Sequence, residues 1–302
     1  MYPILLNSPF KENMPSNGKI YDIYKTESLK NASEIWLLSS DIEGESTAQN
    51  GELKGKTISE IAEIYGRRFF GKKYDQTKAF PLFIRLIDAK DNLPLCVSNK
   101  DRLLIVKEAE NGANMILGFS HNVSEDELRR RVETNTLFSS LNMIPLSSGD
   151  IIRIPAGYLY AVGKGVLCFE ISEGDTANYT ISDYGRVYEN GRRTKLQTEA
   201  AIKSTVCTAA QNITRPEDTF LYPFGTVSEA RLGNKKISLV RLSGSMGLSE
   251  EDSFTSLIIS EGSVMMSYPS GSIHLKCGDS ILVPAATKIK MSGYATIICS
   301  SL

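Results

Sequence analysis

The side chains best suited to bind a metal ion or to attack a substrate are few and far apart in this sequence. The chain has two histidines, His121 and His274, and five cysteines without a C-x-x-C pair. A protein zinc site needs about three or four ligands drawn from histidine, cysteine and carboxylate side chains. Neither histidine has a second ligand at binding spacing, and Cys96 alone would bind zinc only weakly. Cys168, in "GVLCFE", has no accompanying histidine, so we interpret it as a core residue rather than a nucleophile.

Composition narrows the classes of function. The chain has 302 residues, of which 41% are hydrophobic, enough for one large domain or two smaller ones. Its formal net charge is −1, whereas binding to nucleic acid or to an anionic membrane favours a strongly basic surface. We therefore predict neither nucleic acid nor membrane as a partner. Widely spaced cysteines and an N-terminus without signal-peptide features predict a cytoplasmic, reducing location.

Most of the chain has the pattern of short β-strands. Nine brief segments are β-branched or alternate apolar with polar residues, and Gly, Asn, Asp or Ser bounds each of them. They are "EIWLLSS", "FPLFIRLIDA", "DRLLIVKEA", "NMILGFS", "DIIRIPA", "VLCFEIS", "KISLVRLSG", "SLIISEG" and "SILVPAA". Many short strands separated by turn residues predict a sandwich or barrel.

Two segments have helical spacing instead. "TISEIAEIYGRRFFG" begins with a capping box formed by Thr57 and Glu60, and Gly71 is its expected end. "SEDELRRRVETNTLFSSL" begins in the same way with Ser124 and Glu127. We therefore predict two helices inserted among the strands.

The chain also contains an internal repeat. The pattern G-D-x-x-x-x-P begins at Gly149 and again 129 residues later at Gly278. A loose pattern of this kind could arise in any hairpin, but the flanking "IPAG" and "VPAA" extend the similarity. The repeat predicts two β units, joined by a polar connection within "AAQNITRPEDTF".

Longer motifs carry a resemblance to a known family. The segments "SPFKEN", "SEIW", "QNGELKGKTISEI", "FPLFIRLIDAKDNLPLCVSNKD", "IPAGYLYAVGKGVLCFEIS" and "NYTISDYGR" resemble motifs of the short type I mannose-6-phosphate isomerases of the cupin superfamily. The resemblance implies a mainly β fold of two cupin-like (RmlC-like jelly-roll) β-barrels with helical insertions. We expect an N-terminal cupin domain over residues 1–213, as a degenerate isomerase domain, and a C-terminal cupin-like β domain over residues 214–302.

The resemblance also implies a zinc site in the first barrel, but its ligands are replaced in this chain. Cys96 and Ser98 stand where the family has the glutamine and histidine ligands of Q-V-H-P. The position of the glutamate ligand falls on Leu103 or Leu104, after a shortened loop. Tyr160 replaces the last histidine ligand, and it could either fill the space of the metal or line the pocket.

The catalytic arginine of the family is replaced as well, by Thr180. The five positions of this degenerate pocket are Cys96, Ser98, Leu104, Tyr160 and Thr180. We therefore expect no zinc, no other cofactor and no catalytic residue.

Three residues remain as candidates for substrate binding. Arg85 replaces a lysine that lies near the substrate in the family, and a guanidinium can bind phosphate through two hydrogen bonds or could face solvent from its strand. Lys164, in "GKG", stands where the family has a basic residue at the pocket mouth, although an ordinary turn lysine is the simpler interpretation. Glu170 matches a glutamate in the pocket wall, for which we favour a structural hydrogen bond.

Three hypotheses about function follow. The first is a catalytically inactive homologue, or pseudoenzyme, that acts in carbohydrate metabolism by binding a sugar phosphate or by regulation. The second is an aldose–ketose isomerase without zinc, in which Glu170, Tyr160 or Lys164 supplies the base and the oxyanion stabiliser if they converge. The third is a structural protein that pairs with an unidentified protein partner, for instance an active paralogue.

Overall fold

The protein, as a computed structural model, is described over residues 1–12, 14, 16–174, 178–188, 191–210 and 218–302. Most of the predicted polar connection, and with it the boundary between residues 213 and 214, lies outside these described residues. Asn13 of "SPFKEN" lies outside them as well. The division of the chain at residue 213 therefore stays a prediction.

Strands make up most of the described chain. In order they are β1 Ile4–Asn7, β2 Phe10–Lys11, β3 Glu34–Leu38, β4 Thr47–Ala48, β5 Phe83–Ala89, β6 Leu95–Val97, β7 Arg102–Ala109, β8 Asn114–Phe119, β9 Leu141–Pro145, β10 Ile151–Ile154, β11 Leu159–Val162, β12 Val166–Ser172, β13 Tyr179–Ser182, β14 Asp218–Tyr222, β15 Gly225–Leu232, β16 Lys235–Leu248, β17 Thr255–Tyr268, β18 Gly271–Lys276, β19 Ser280–Val283 and β20 Ile289–Ser301. Each of the nine predicted strand segments overlaps one of these strands, so those predictions are confirmed.

The helices of the described chain are short. They are α1 Lys19–Tyr24, α2 Ile58–Tyr65, α3 Arg67–Phe70, α4 Glu125–Glu133 and α5 Thr198–Ser204, with single 3₁₀ turns at Glu27–Leu29, Gly51–Leu53 and Leu137–Ser140. None of them is long and apolar enough to cross a membrane.

The two predicted helix starts are confirmed, and helical structure in the first segment stops at Gly71 as predicted, but it is divided into two helices. Thr57 and Glu60 form both hydrogen bonds of a capping box at the start of α2, and the Ser124 hydroxyl accepts the N–H of Glu127 at the start of α4. The first segment does not continue as one helix to Gly71. Gly66 interrupts it with φ of 43°, a left-handed conformation that glycine adopts readily, and α3 follows as a separate turn.

Two antiparallel sheets, which we call the first unit, pack face to face. One sheet has the order β10-β7-β12-β5-β3-β2, and the other has the order β13-β6-β11-β8-β9. Leu104 and Cys168 from one sheet and Met115 and Val162 from the other belong to a single buried cluster. The space between these sheets is therefore the interior into which alternate residues of each strand point.

The remaining sheet, which we call the second unit, has the order β14-β15-β16-β20-β17-β19-β1-β4, with β18 paired to β17. It includes the beginning of the chain, because Ile4 of β1 pairs with Leu282 of β19. Residues from both ends of the sequence thus complete this sheet.

The internal repeat has a common local structure in both units. Gly149 and Gly278 have φ values of 89° and 95°, which favour glycine. The carboxylates of Asp150 and Asp279 each accept a hydrogen bond of 2.8 Å from the backbone N–H three residues earlier. β10 and β19 follow these turns directly, so the repeat is a shared turn-and-strand element, as predicted.

Candidate functional site

Polar side chains from several neighbouring strands meet inside the first unit. β5 contributes Arg85, β7 contributes Arg102, β11 contributes Tyr160 and β12 contributes Glu170. Strand pairing sets this arrangement, because β12 lies between β5 and β7 and places Glu170 opposite Arg85 on one side and Leu104 on the other. Residues paired across neighbouring strands point to the same face, and here that face is the interior.

Glu170 is the centre of a buried charge network. Its Oε1 accepts hydrogen bonds from Nη2 and Nε of Arg85 at 3.0 and 3.2 Å, and from Nη1 of Arg102 at 2.8 Å. Nη1 of Arg85 also donates to Oε2 of Glu34, on β3, at 2.6 Å. Two carboxylates and two guanidinium groups therefore balance one another inside the unit. Such mutual pairing is what makes buried charges tolerable.

These pairings keep Glu170 and the two arginines ionised. Burial raises the pKa of Glu170, but the charges and hydrogen bonds of Arg85 and Arg102 outweigh burial and hold that pKa below its ordinary value. Burial lowers the pKa of Arg85, and the carboxylates of Glu170 and Glu34 more than offset this effect. Glu170 is consequently an anion at neutral pH and a weak proton acceptor.

Cys96, Tyr160 and Thr180 come together as one part of the degenerate pocket. Cys96, on β6, pairs with Tyr160 of β11 on one side and with Thr180 of β13 on the other. The Cys96 Sγ lies 3.5 Å from Thr180 Oγ1. Burial raises the pKa of the Cys96 thiol to about 11. These positions therefore present a protonated thiol, a phenol and an alcohol to the interior.

Ser98 and Leu104 lie deeper, next to Arg102. The Ser98 hydroxyl accepts a hydrogen bond of 3.3 Å from Nη2 of Arg102. Leu104 is fully buried in the apolar cluster. Neither of the two side chains lines the pocket cavity described below.

Tyr160 lines this pocket rather than filling it. Its side chain borders a cavity of about 220 Å³, together with Arg85, Cys96 and Glu170. Its hydroxyl lies 3.5 Å from Glu170 Oε2 and 3.3 Å from Asn178 Oδ1. Burial raises the pKa of this phenol, so it is neutral and can donate one hydrogen bond.

A wider cleft of about 1100 Å³ adjoins the cavity and shares Met14 and Pro94 with it. The described residues around this cleft are mostly basic where they are charged. The basic ones are Lys90, Arg186, Arg192, Arg193 and Lys195, and the acidic ones are Glu12 and Asp91. An excess of positive charge at the entrance favours an anionic ligand.

No family model matches this sequence. It is 28% identical over 236 residues, 72% of each chain, to Probable mannose-6-phosphate isomerase GmuF of Bacillus subtilis (strain 168). It is 25% identical over 316 residues, 99% of each chain, to mannose-6-phosphate isomerase ManA of the same organism. The crystal structure of the mannose 6-phosphate isomerase from Bacillus subtilis matches it with a TM-score of 0.92 and 25% identity over 100% of both chains.

This chain is a homologue of the type I mannose-6-phosphate isomerases. The match over the whole length confirms the predicted mainly β, cupin-type fold. A mannose 6-phosphate isomerase structure from Salmonella typhimurium, with a TM-score of 0.76 and 11% identity, is similar in fold.

The interior of this isomerase homologue does not suit the zinc ion that the family resemblance implies. Among the described residues, no three His, Cys, Asp or Glu side chains lie close enough together to hold a metal. Zinc binds cysteine as the thiolate, whereas burial raises the pKa of Cys96 to about 11. The carboxylate of Glu170 is already bonded to two guanidinium groups, and their positive charge repels a divalent cation. The absence of zinc itself stays a prediction.

Lys164 lies apart from the other candidates for substrate binding. It is exposed in the turn between β11 and β12, where its backbone N–H donates to Asn92 Oδ1 at 2.9 Å. It is not among the residues that line the cavity or the cleft. Arg85 and Glu170 do meet in the cavity, so the structure brings two of the three candidates of the isomerase homologue together.

Glu34 and Arg102 belong to the charge network but were not predicted from the sequence. Glu34 stands inside the quoted motif "SEIW", and its carboxylate bonds to Arg85. Arg102 precedes Leu104 by two residues on one strand, so the two side chains share a face. The family resemblance assigned Leu104 to a ligand position, so the alternation of side chains along β7 could have identified Arg102 as its neighbour on the same face.

Proposed function

We propose that this isomerase homologue does not interconvert aldose and ketose phosphates and that it binds a sugar phosphate in a regulatory or carrier role. The observation that carries the proposal is the closed charge network, in which the central carboxylate of Glu170 is bonded to Arg85 and Arg102. In a metal-dependent isomerisation the cation polarises the carbonyl and stabilises the developing negative charge, an effect worth several kcal/mol. About 1.4 kcal/mol of this stabilisation already corresponds to a tenfold rate.

The cavity and the cleft support a sugar phosphate as the ligand. The cavity of about 220 Å³ offers carboxylate, guanidinium, phenol and alcohol groups, which can form hydrogen bonds with sugar hydroxyls. Arg85 is engaged with two carboxylates, so recognition of a phosphate falls to the basic residues of the cleft. Arginine suits this task because its planar fork can contact two phosphate oxygens at once.

We further propose that binding belongs to the first unit, that the second unit is structural and that the protein is cytoplasmic. Among its described residues the second unit has a large apolar cluster, and its buried Lys235 pairs only with the half-exposed Glu173 rather than with a buried carboxylate. All five cysteines are free thiols, which is consistent with a reducing compartment.

The deciding experiment measures metal content and isomerisation in parallel on the purified chain. We expect far less than one zinc per chain and no conversion of mannose 6-phosphate above background, with or without added zinc. ManA of Bacillus subtilis, assayed in the same way, is the positive control. Stoichiometric zinc together with turnover would overturn the proposal of an inactive protein.

Ligand binding is tested separately by titration calorimetry. Mannose 6-phosphate is expected to bind and mannose is not, because the cleft supplies the phosphate contact. Arg193→Glu should weaken binding about tenfold or more, while Lys288→Glu, at an exposed site in the second unit, should leave it unchanged. Equal binding of the sugar with and without its phosphate would contradict this assignment.

One observation favours the second candidate, an isomerase that works without metal. The Tyr160 hydroxyl lies 3.5 Å from Glu170 at the cavity wall, as an acid beside a carboxylate base. The lowered pKa of Glu170 opposes this role, because it makes the carboxylate a poor base. Exchange of the sugar C2 proton with solvent in the presence of chelator, abolished in Glu170→Gln, would decide in favour of the metal-free enzyme.

A further inference from the structure

We propose that the guanidinium of Arg102 takes the place of the metal ion as the positive charge at the centre of the first unit, and that it keeps a divalent cation out. The inference rests on the proposed function, because it explains how a pocket without metal retains a buried carboxylate. Arg102 acts here as a positioning residue for Glu170, with no direct contact to a ligand.

The burial of Arg102 is the first observation. Its side chain has 0% relative exposure, and by residue volume it is the largest fully buried side chain among the described residues. A charge removed from water at this depth requires a partner of opposite charge. Glu170, itself 1% exposed, provides that partner at 2.8 Å.

The position of Arg102 is the second observation. Its Nη2 donates to Ser98 at 3.3 Å, and Leu104 lies two residues further along the same face of β7. The Tyr160 hydroxyl lies 3.5 Å from the carboxylate of Glu170, to which Nη1 of Arg102 donates at 2.8 Å. Of the positions that the family resemblance assigns to metal ligands, Arg102 thus contacts Ser98, shares a strand face with Leu104 and shares the carboxylate of Glu170 with Tyr160.

Arg85 has a different role from Arg102, although both contact Glu170. Arg85 is partly exposed, lines the cavity and bonds to Glu34 as well. Arg102 is not among the residues that line the cavity. The division leaves Arg85 at the wall of the cavity and Arg102 behind it, bonded to the same carboxylate of Glu170.

The first test restores the four donors of the family by Cys96→Gln, Ser98→His, Leu104→Glu and Tyr160→His. The quadruple variant is made with Arg102 and with Arg102→Leu, and zinc per chain is measured after dialysis. We expect about one zinc per chain with Arg102→Leu and at least a tenfold lower content when Arg102 is retained. Equal zinc in both proteins, or zinc in neither, would overturn the proposal.

A second test does not depend on the folding of the quadruple variant. Arg102→Ala in the otherwise native chain should lower the thermal unfolding temperature, and low millimolar guanidinium chloride should recover part of this loss, relative to the same concentration of sodium chloride. Arg153→Ala, at a half-exposed arginine on β10 that bonds to Asp101, is the matched control and should show no recovery. If Arg102→Ala folds only when guanidinium is present, this is recovery in its strongest form.

Absence of recovery by guanidinium, or an Arg102→Ala protein as stable as the native chain, would contradict the role of Arg102. Both tests read metal content and stability, whereas the proposed function is read by turnover of the native chain. A native chain that proves to be an active, metal-free enzyme would thus refute the proposed function and leave the results on Arg102 interpretable.

Discussion

The two units of this molecule share a turn, a strand arrangement and an antiparallel sheet, yet their interiors differ in chemistry. In the first unit the apolar cluster adjoins the charged side chains of Arg85, Arg102 and Glu170. In the second unit the buried cluster consists of Val, Leu, Ile, Met, Ala and Cys side chains alone. Lys235 of β16 is buried as well, but it pairs with the half-exposed Glu173, so the described residues of the second unit form no network of buried opposite charges.

The difference indicates where selection for function has acted. Removing charges from water costs free energy, and a well-packed apolar replacement is often equally or more stable. The charged interior of the first unit is therefore poorly explained by stability alone, in contrast to the second. A role for its cavity in binding, with Glu34 and Arg85 at the wall, accounts for the cost.

The comparison predicts its largest effect at Glu170. Glu170→Gln leaves the guanidinium groups of Arg85 and Arg102 without their shared carboxylate, and we expect a loss of about 3–5 kcal/mol in the free energy of unfolding. Urea denaturation monitored by fluorescence measures it. The control is Asp252→Asn, at a half-exposed carboxylate that bonds to the exposed Lys72, which should cost less than about 1 kcal/mol. A loss below that level at Glu170 would show that the network is dispensable.

Matched leucines in the two interiors give the second prediction. Leu104 and Leu257 both have 0% relative exposure. Leu257→Ala leaves a dry apolar cavity in the second unit and should cost about 3–5 kcal/mol. Leu104→Ala should cost about 2–3 kcal/mol, because Arg102 and Glu170 nearby can bind a water molecule in the new space. Denaturation of both variants under the same conditions tests this, and a larger loss at Leu104 would contradict it.

Local sequence rules predicted the framework of the fold well, because each rule reports a short-range cause. Alternation of apolar residues placed the strands, and the capping box placed Thr57 at the start of a helix. The break inside that segment was not predicted, because Gly66 and Gly71 are both plausible helix ends, and the structure uses Gly66 after α2 and Gly71 after α3.

The site could be predicted only in part, because its bonds join residues distant in sequence. Arg85 and Glu170 are 85 positions apart, and Arg102 and Glu170 are 68 apart. The family resemblance identified the positions where metal ligands are replaced. Arg102 does not stand at any of those positions, so the resemblance could not identify it. Lys164 shows the opposite case, since its motif position suggested the pocket and the turn carries it elsewhere.

Buried thiols in the two interiors give the third prediction, on alkaline stability. Burial raises the pKa of Cys96 to about 11 and that of Cys299 to about 12, from an ordinary value of 9.0. A raised pKa in the folded state means that this stability is present below pH 9 and is lost as the pH rises towards the folded value. Each thiol should reduce the free energy of unfolding by about 1 kcal/mol between pH 9 and 10, because the thiol of the unfolded chain is already half ionised at pH 9.

The thiol prediction is checked by comparing the native chain with Cys96→Ala and Cys299→Ala across this pH range. Each variant should lose less stability than the native chain between pH 9 and 10, because one ionising group is gone from the unfolded state. The constant cost of each substitution, seen at pH 7, is subtracted. Parallel curves of unfolding free energy against pH for the native and variant proteins would show that burial does not raise the pKa of that thiol.

The smallest predicted effect concerns what the two units have in common. Asp150 and Asp279 each close the turn before a strand by accepting one backbone hydrogen bond of 2.8 Å. Because the bond is the same in both units, Asp150→Ala and Asp279→Ala should each cost about 1 kcal/mol and differ by less than about 0.5 kcal/mol. Asn at either position keeps an oxygen acceptor and should recover most of the loss. A clear cost in one unit and none in the other would mean that the shared turn, like the interiors, serves the two units differently.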